Sequence, residues 1–508
     1  MKIFKINGLV NNQWLAEWDS VKFDEHFRRK PQPHFYIFSI KASTLKRLSK
    51  VYPRTAEGNR IHDIGIQRKH DPERSSDIKK YVHGGFPWSE LSSRQKENND
   101  NDHLKMPGWL PTAIIANILS PGTTRGSEAL EEHNSIGIKK VDNNLCELTL
   151  PEEIYEENWD PAIAPIEIID GQHRLWAFDK DEEFDGDFEF PVIAFYDLDI
   201  TWQAYLFYTI NIKPKKINAS LAFDLYPILR VQEWLEHSAE GNKVYKETRA
   251  QELTELLWSH NKSPWYKKIN MLGDSKGGLV TQAAFIRSLL ASFIKGNSNQ
   301  SIGGLFGSKI ETIEKDYVLN WNRPQQAAFL ILIWSNLLKN ISKTDNAWTK
   351  LLREENGQQN MEGIINDDPA FTSKYSLLST DQGVRGVLHV YNDLCYINAK
   401  DLELDAFVWN DELKEDYIEL KDVNKALDNF SESSVDKFID NISKVITNFN
   451  WVTSSTPNLS ETERKNQMVF KGSSGYKELR NQLLQELVKS DIVDVKKTAE
   501  KVVKILNY

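Results

Sequence analysis

The sequence predicts a mixed α/β domain over residues 1–230, followed by a mainly α-helical region over residues 231–508. Three observations carry that prediction. Short apolar runs alternate with helix patterns between residues 166 and 211, which favours layered strands and helices. Beyond Arg230, apolar residues recur at helical spacing over long segments. The 508 residues are 40 % hydrophobic and include 15 Trp, which suits more than one core and excludes a disordered or low-complexity chain.

Taken in order, the first fifty residues mix β-like runs with one helix. His34 to Ile40 is rich in aromatic and β-branched residues and reads as a strand. Ser43 or Thr44 is placed to cap a helix carrying Leu45, Leu48 and Val51. Asp71 followed by Pro72 reads as an N-cap with proline at the first helical position, and Gly84-Gly85 as the stop. Ser89 to His103 is polar and reads as an exposed loop, Thr112 to Leu119 as a strand, and Leu145 to Leu150 as another. Ile166 to Ile169 is a short strand, Asp170 to Arg174 a turn, and Leu175 to Phe178 the start of a helix. An acidic loop from Asp179 to Glu189 precedes a strand from Phe190 to Tyr196, and Trp202 to Ile210 is an amphipathic helix ending at Asn211. Helices are then expected at 231–237, 250–260, 280–293, 325–338, 435–446, 476–487 and 493–506. The Gly/Ser/Asn-rich stretch 296–308 is a candidate split of this region into two subdomains.

Net charge is −10, which argues against a protein that coats nucleic acid with its whole surface but leaves room for a local basic groove. Cys146 and Cys395 are too few for a disulfide framework or a four-cysteine zinc site, and read as free thiols of a reducing compartment. The N-terminus lacks a long apolar core, and the most apolar run, Ala327 to Leu338, is well short of the roughly 20 residues of a membrane span. A cytoplasmic protein is expected, with no membrane partner.

The turn Asp170-Gly171-Gln172-His173-Arg174 concentrates the chemistry. A glycine between strand and helix lets a ligand approach the backbone. The first N–H groups of the following helix favour an anion such as phosphate. Arg174 offers a planar fork of donors for phosphate, and His173 titrates near neutrality. Asp170 is suited either to hold a divalent cation carried by a nucleotide or to cap the helix. On spacing alone a plain turn, cap and ion pair account for these residues equally well.

Asp170 to Leu175 resembles the Asp-Gly-Gln-His-Arg signature of the DGQHR-domain proteins. These include the DndB-type proteins of DNA phosphorothioation systems and are related to the ParB/sulfiredoxin-like superfamily. Further elements agree in order: Gly65 to Arg68, Phe86-Pro87 with Leu110 to Ile115, Phe207 to Asn211 with Lys213 to Lys216, then Ser220-Leu221 and Asp224-Leu225. The resemblance spans roughly residues 35 to 230 and implies a ParB-like α/β core in a bacterial or archaeal DNA modification or anti-phage defence system. Carried over, it implies that Gly171, His173 and Arg174 line a phosphate site and that Asp170 orients the turn or contacts Mg²⁺ of a nucleoside triphosphate. Gln67 and Arg68 approach from one side, and Asn211 and Lys215 close the other. In a hydrolytic member, His173 or Gln172 positions water and Arg174 stabilises phosphoryl charge. Arg74, Lys213 and Lys216 are then DNA-binding candidates, with other basic residues at 28–30, 68–69 and 79–80.

The resemblance implies a protein that binds nucleotide and DNA, with NTP hydrolysis or DNA nicking among the family's activities. A non-enzymatic DNA-binding transcriptional regulator of the same fold, and a scaffold for other proteins of the system, are the alternatives. Elsewhere, Gly472 to Gly475 reads as a helix entry turn rather than a second phosphate cradle, because it lacks the Lys-Ser/Thr ending of a P-loop. The histidines at 62, 70, 83 and 103 lack metal-ligand spacing.

Overall fold

Alternating apolar residues build the first sheet. In the computed structural model, strands β1 (Lys5–Asn12), β2 (His34–Lys41), β3 (Ser49–Lys50) and β4 (Ile114–Ile118) lie in one sheet. Strands β5 (Thr124–Arg125) and β6 (Glu128–Ala129) form a separate hairpin. Strands β7 (Gly137–Lys140), β8 (Leu145–Thr149), β9 (Ile166–Asp170) and β10 (Glu189–Tyr196) complete the first sheet. The structure describes residues 4–23, 29–50, 71–97, 101–125, 127–178, 188–211, 218–226, 243–273, 280–296, 302–307, 309–310, 317–355, 368–409 and 418–507.

The sheet has eight strands in the order β3-β9-β4-β10-β2-β1-β8-β7. The β3/β9 and β4/β10 pairs are parallel and the other neighbours antiparallel. Register sets one apolar row across its middle, where Val192 opposes Phe38 on one side and Ile114 on the other. Tyr36, Ile40, Ala116, Ile118, Ile166, Ile168, Phe190 and Ala194 share that core. Leu45 and Leu48 of α1 (Ala42–Leu48) join the same core. Proline in an interior strand costs a ladder hydrogen bond. Pro191 avoids this on the β4 side because that pairing begins one residue later, at Val192.

Helix α2 (Pro72–Trp88) starts as its sequence predicts: the Asp71 carboxylate accepts from the Glu73 and Arg74 backbone N–H groups. The helical backbone breaks at Gly85 (φ 61), the expected stop, and a further turn follows through the cis Phe86-Pro87 bond. The expected loop 89–103 instead contains α3 (Ser93–Lys96), closed by a Ser92/Gln95 capping box, and buries Leu91. Helices α4 (Gln172–Trp176) and α5 (Ile200–Asn211) complete the first unit, Met1–Lys215.

The second unit, Lys216–Tyr508, is helical. Among the described residues its helices are α6 (Ala219–Asp224), α7 (Lys243–Ser259), α8 (Gln282–Ala291), α9 (Arg323–Ser342), α10 (Ala347–Glu355), α11 (Asp381–Ile397), α12 (Leu420–Phe430), α13 (Ser434–Ile446), α14 (Glu461–Met468), α15 (Gly475–Val488) and α16 (Val493–Leu506). Helix α9 is buried on nearly every side, as an apolar helix with no polar stripe must be. It packs against α7, α12 and α13, while α11 packs against α8, α15 and α16. Helix α8 opens two residues later than the apolar run suggests. Thr281 caps it, accepting from the Ala284 N–H, and Val280–Thr281 pair as a short strand with Ile269–Asn270. The helix expected at 231–237 lies outside the described residues. No helix among the described residues is long and apolar enough to cross a membrane. Cys146 and Cys395 are free and buried.

Candidate functional site

Strand β9 delivers Asp170 to the edge of the core, and Gly171 makes the turn alone. Its φ of 99° is open to glycine and strained for other residues, so Gln172 already begins the helix. This corrects the expected order, in which the turn ran to Arg174 and the helix followed. The helix is also only five residues long. So short an array aligns few peptide dipoles, and charged side chains must supply any strong attraction for an anion.

Arg174 is the best-anchored cation of the turn. Its Nη2 donates to Asp170 Oδ2 at 2.9 Å, and its Nη1 donates to the Thr112 carbonyl and hydroxyl. Its side chain is 16 % exposed. Burial pulls its pKa down, Asp170 opposes that shift, and the nearby Arg74 charge adds to it. Asn211, the last residue of α5, donates from Nδ2 to the other Asp170 oxygen at 3.1 Å and to the Phe207 carbonyl at 3.0 Å. On α2, the Ser75 hydroxyl donates to the His173 carbonyl at 3.2 Å. The buried Gln172 brings its Nε2 to 3.4 Å from His173 Nε2.

The structure thus gathers Asp170, Gly171, Gln172, His173, Arg174, Asn211 and Arg74. Gln67, Arg68, Lys213, Lys215 and Lys216 lie outside the described residues, as do residues 179–187 of the acidic loop. Other basic residues are drawn to local carboxylates. Arg29 pairs with Asp199 and Asp197, Lys30 with Asp19, and Lys80 with Asp77.

Sequence reasoning missed Thr112 and a buried polar network on the other face of β9. Glu167 accepts from Arg125 Nε at 2.6 Å and Nη2 at 2.9 Å, and from Gln203 Nε2 at 2.9 Å. Gln203 also donates to the Leu198 carbonyl at 3.0 Å, and Asn117 accepts from the Leu198 N–H at 2.9 Å. Gln203 and Asn211 share α5, so this network seats the helix whose last residue reaches Asp170. The available signal was one acidic residue inside the apolar run Ile166-Glu167-Ile168-Ile169. A charge there must find partners or pay a large desolvation cost.

Gly171→Ala is expected to destabilise the first unit by roughly 2 kcal/mol, the usual scale of a strained backbone position. The added Cβ would stand 2.5 Å from Ile114 Cδ1. Denaturant unfolding of both proteins measures the difference, and equal midpoints would refute it.

Residues 29–227 match the family model DndB, described as DNA-sulfur modification-associated. No curated protein and no solved structure matches the chain. The matched span contains the turn, its Arg74 and Asn211 neighbours and the Glu167 network, so the similarity to the DndB family covers the residues of this site.

Proposed function

We propose that the first unit binds a nucleoside triphosphate at the Asp170–Arg174 turn and contacts DNA close by, within a DNA modification or anti-phage defence system. Two arginines beside one carboxylate carry this reading. Arg74 lies close enough for its charge to lower the pKa of Arg174, and Asp170 is the carboxylate paired with Arg174. The surplus positive charge suits a phosphate group, and the αL glycine keeps a side chain out of the approach. A ParB/sulfiredoxin-like core accords with this strand–Gly–helix–Arg order. The DndB match supports the setting, and proteins of the same system are the expected partners.

Among the described residues no group of three or more His, Cys, Asp or Glu is placed to hold a metal. Asp170 alone suits a Mg²⁺ held chiefly by nucleotide phosphates and water, the usual way this ion binds at phosphate sites. Such an ion would supply charge neutralisation on the phosphates. The chain's own contribution is Arg174, held rigidly by Thr112 and Asp170, with His173 and Gln172 next to it as groups able to orient water.

One observation favours the alternative of a non-enzymatic DNA-binding regulator. Both Asp170 oxygens already accept hydrogen bonds, from Arg174 and Asn211, leaving the carboxylate a positioning group. Nucleotide binding and turnover, measured with and without DNA on the wild type, Arg74→Ala and Arg174→Lys, separate the two. Turnover lost in Arg174→Lys and binding weakened in Arg74→Ala would support the enzyme. Absent nucleotide binding, together with DNA affinity that falls steeply with salt, would sink it in favour of the regulator.

A further inference from the structure

Helices α11 and α15 of the second unit meet along a line of charged and aromatic side chains. On α11, Arg385, His389 and Asp393 stand four residues apart and so share one face. On α15, Tyr476 and Arg480 do the same. The Arg385 guanidinium lies 3.8 Å over the Tyr476 ring. The His389 ring stacks on the same tyrosine, with centroids 5.5 Å apart and planes 13° apart. Below them, Arg480 Nε donates to the fully buried Asp393 at 2.7 Å.

Two features of this cluster are unexplained by packing. His389 is 5 % exposed, yet neither ring nitrogen has a hydrogen-bond partner among the described residues, and the buried Nε of Arg385 has none either. Three cations, Arg480, Lys295 and Arg385, act on His389. Burial and these cations hold its pKa well below the ordinary value, so the imidazole is neutral and presents one N–H donor and one acceptor. Asp393 answers Arg480 and lies within the influence of Lys295, and Arg385 has no paired carboxylate among the described residues. Buried donors and surplus positive charge in one place are what a compact oxyanion satisfies. The turn Gly472 to Gly475 leads into α15 beside the cluster, and Gln382 of α11 donates to the Gly472 carbonyl at 3.0 Å.

We propose that the second unit binds a small phosphate-type oxyanion between α11 and α15, with His389 and Arg385 as direct ligands and Lys295 and Arg480 supplying the field. The site is separate from the Asp170–Arg174 turn and does not depend on the reading of that turn.

The test is isothermal titration of the full chain in buffer free of phosphate and sulfate, with inorganic phosphate in one arm and adenosine 5′-monophosphate in the other. Saturable binding is expected in the wild type and in Arg74→Ala. It should weaken about tenfold or more in His389→Phe and in Arg385→Gln, the scale of one lost charge-assisted hydrogen bond. His389→Phe keeps a ring against Tyr476 while removing both nitrogens. If that variant fails to fold, Arg385→Gln carries the comparison alone. Binding of the nucleotide only, with the same sensitivity, would make the oxyanion its terminal group and support the site. No saturable binding in either arm overturns the proposal. So does binding that both folded variants leave unchanged, or that is lost in Arg74→Ala.

Discussion

Glu167→Gln is expected to lower the stability of the first unit by about 3–5 kcal/mol, the range for removing one partner of a buried ion pair. Glutamine nearly preserves the shape but removes the negative charge from the 2.6 Å contact with Arg125, where the two side chains are 17 % and 6 % exposed. The same change weakens the seat of Gln203, so α5 and Asn211 loosen with it. Hydrogen exchange of the β4, β9 and α5 amides, read alongside denaturant unfolding, reports the loss in the right unit. The double variant Arg125→Met with Glu167→Leu is expected to recover much of it, because an apolar pair replaces the charges without leaving one unpaired. A single-variant loss below about 1 kcal/mol would show that this pair behaves like an exposed one.

The second large effect belongs to the helical unit. Trp265 is fully buried and meets Phe285, Trp334 and Phe371 edge-on at centroid distances of 5.0, 5.3 and 5.2 Å. Trp265→Ala removes the shared member of that cluster and is expected to cost about 3–5 kcal/mol, as large-to-small aromatic changes in cores do. Its indole N–H has no acceptor among the described residues. Trp265→Phe therefore trades a smaller cavity for the removal of an unpaired donor, and a clearly smaller loss is expected. Chemical denaturation of the three proteins ranks them. Equal losses for the two variants would mean that the ring edges contribute little.

Much of this architecture was legible in the residues. The strands expected at 34–40, 166–169 and 190–196 match β2, β9 and β10 closely, because they are short apolar runs rich in β-branched and aromatic residues. Helix α2 announced itself through Asp71 and Pro72, and α5 ends at Asn211, where the pattern placed its end. The turn was harder to read. Leu175 and Trp176 carry the apolar signal and suggested a helix beginning there, whereas the backbone turns at Gly171 and the polar Gln172 to Arg174 are already helical. Local polarity outweighed conformation in that reading. Strand order was not legible at all. β9 beside β4 and β10 beside β2 are pairings between distant segments, and one chain's pattern cannot rank them. Thr112 and Arg125 escaped notice for the same reason: each acts across the sheet on a residue far away in sequence.

The two-sided burial of β9 bears on how this segment can vary in length. Ile166 and Ile168 face the apolar core, while Glu167 faces Arg125 and Gln203. Removing or adding one residue would exchange those faces, pushing the carboxylate toward the isoleucines. It would also slide the following glycine along the strand by about 3.3 Å, away from Thr112 and Asn211. One-residue insertions and deletions within Ile166–Asp170 are therefore expected to be far more damaging than those at the exposed Val141–Asn144 connection, which leave both faces in frame.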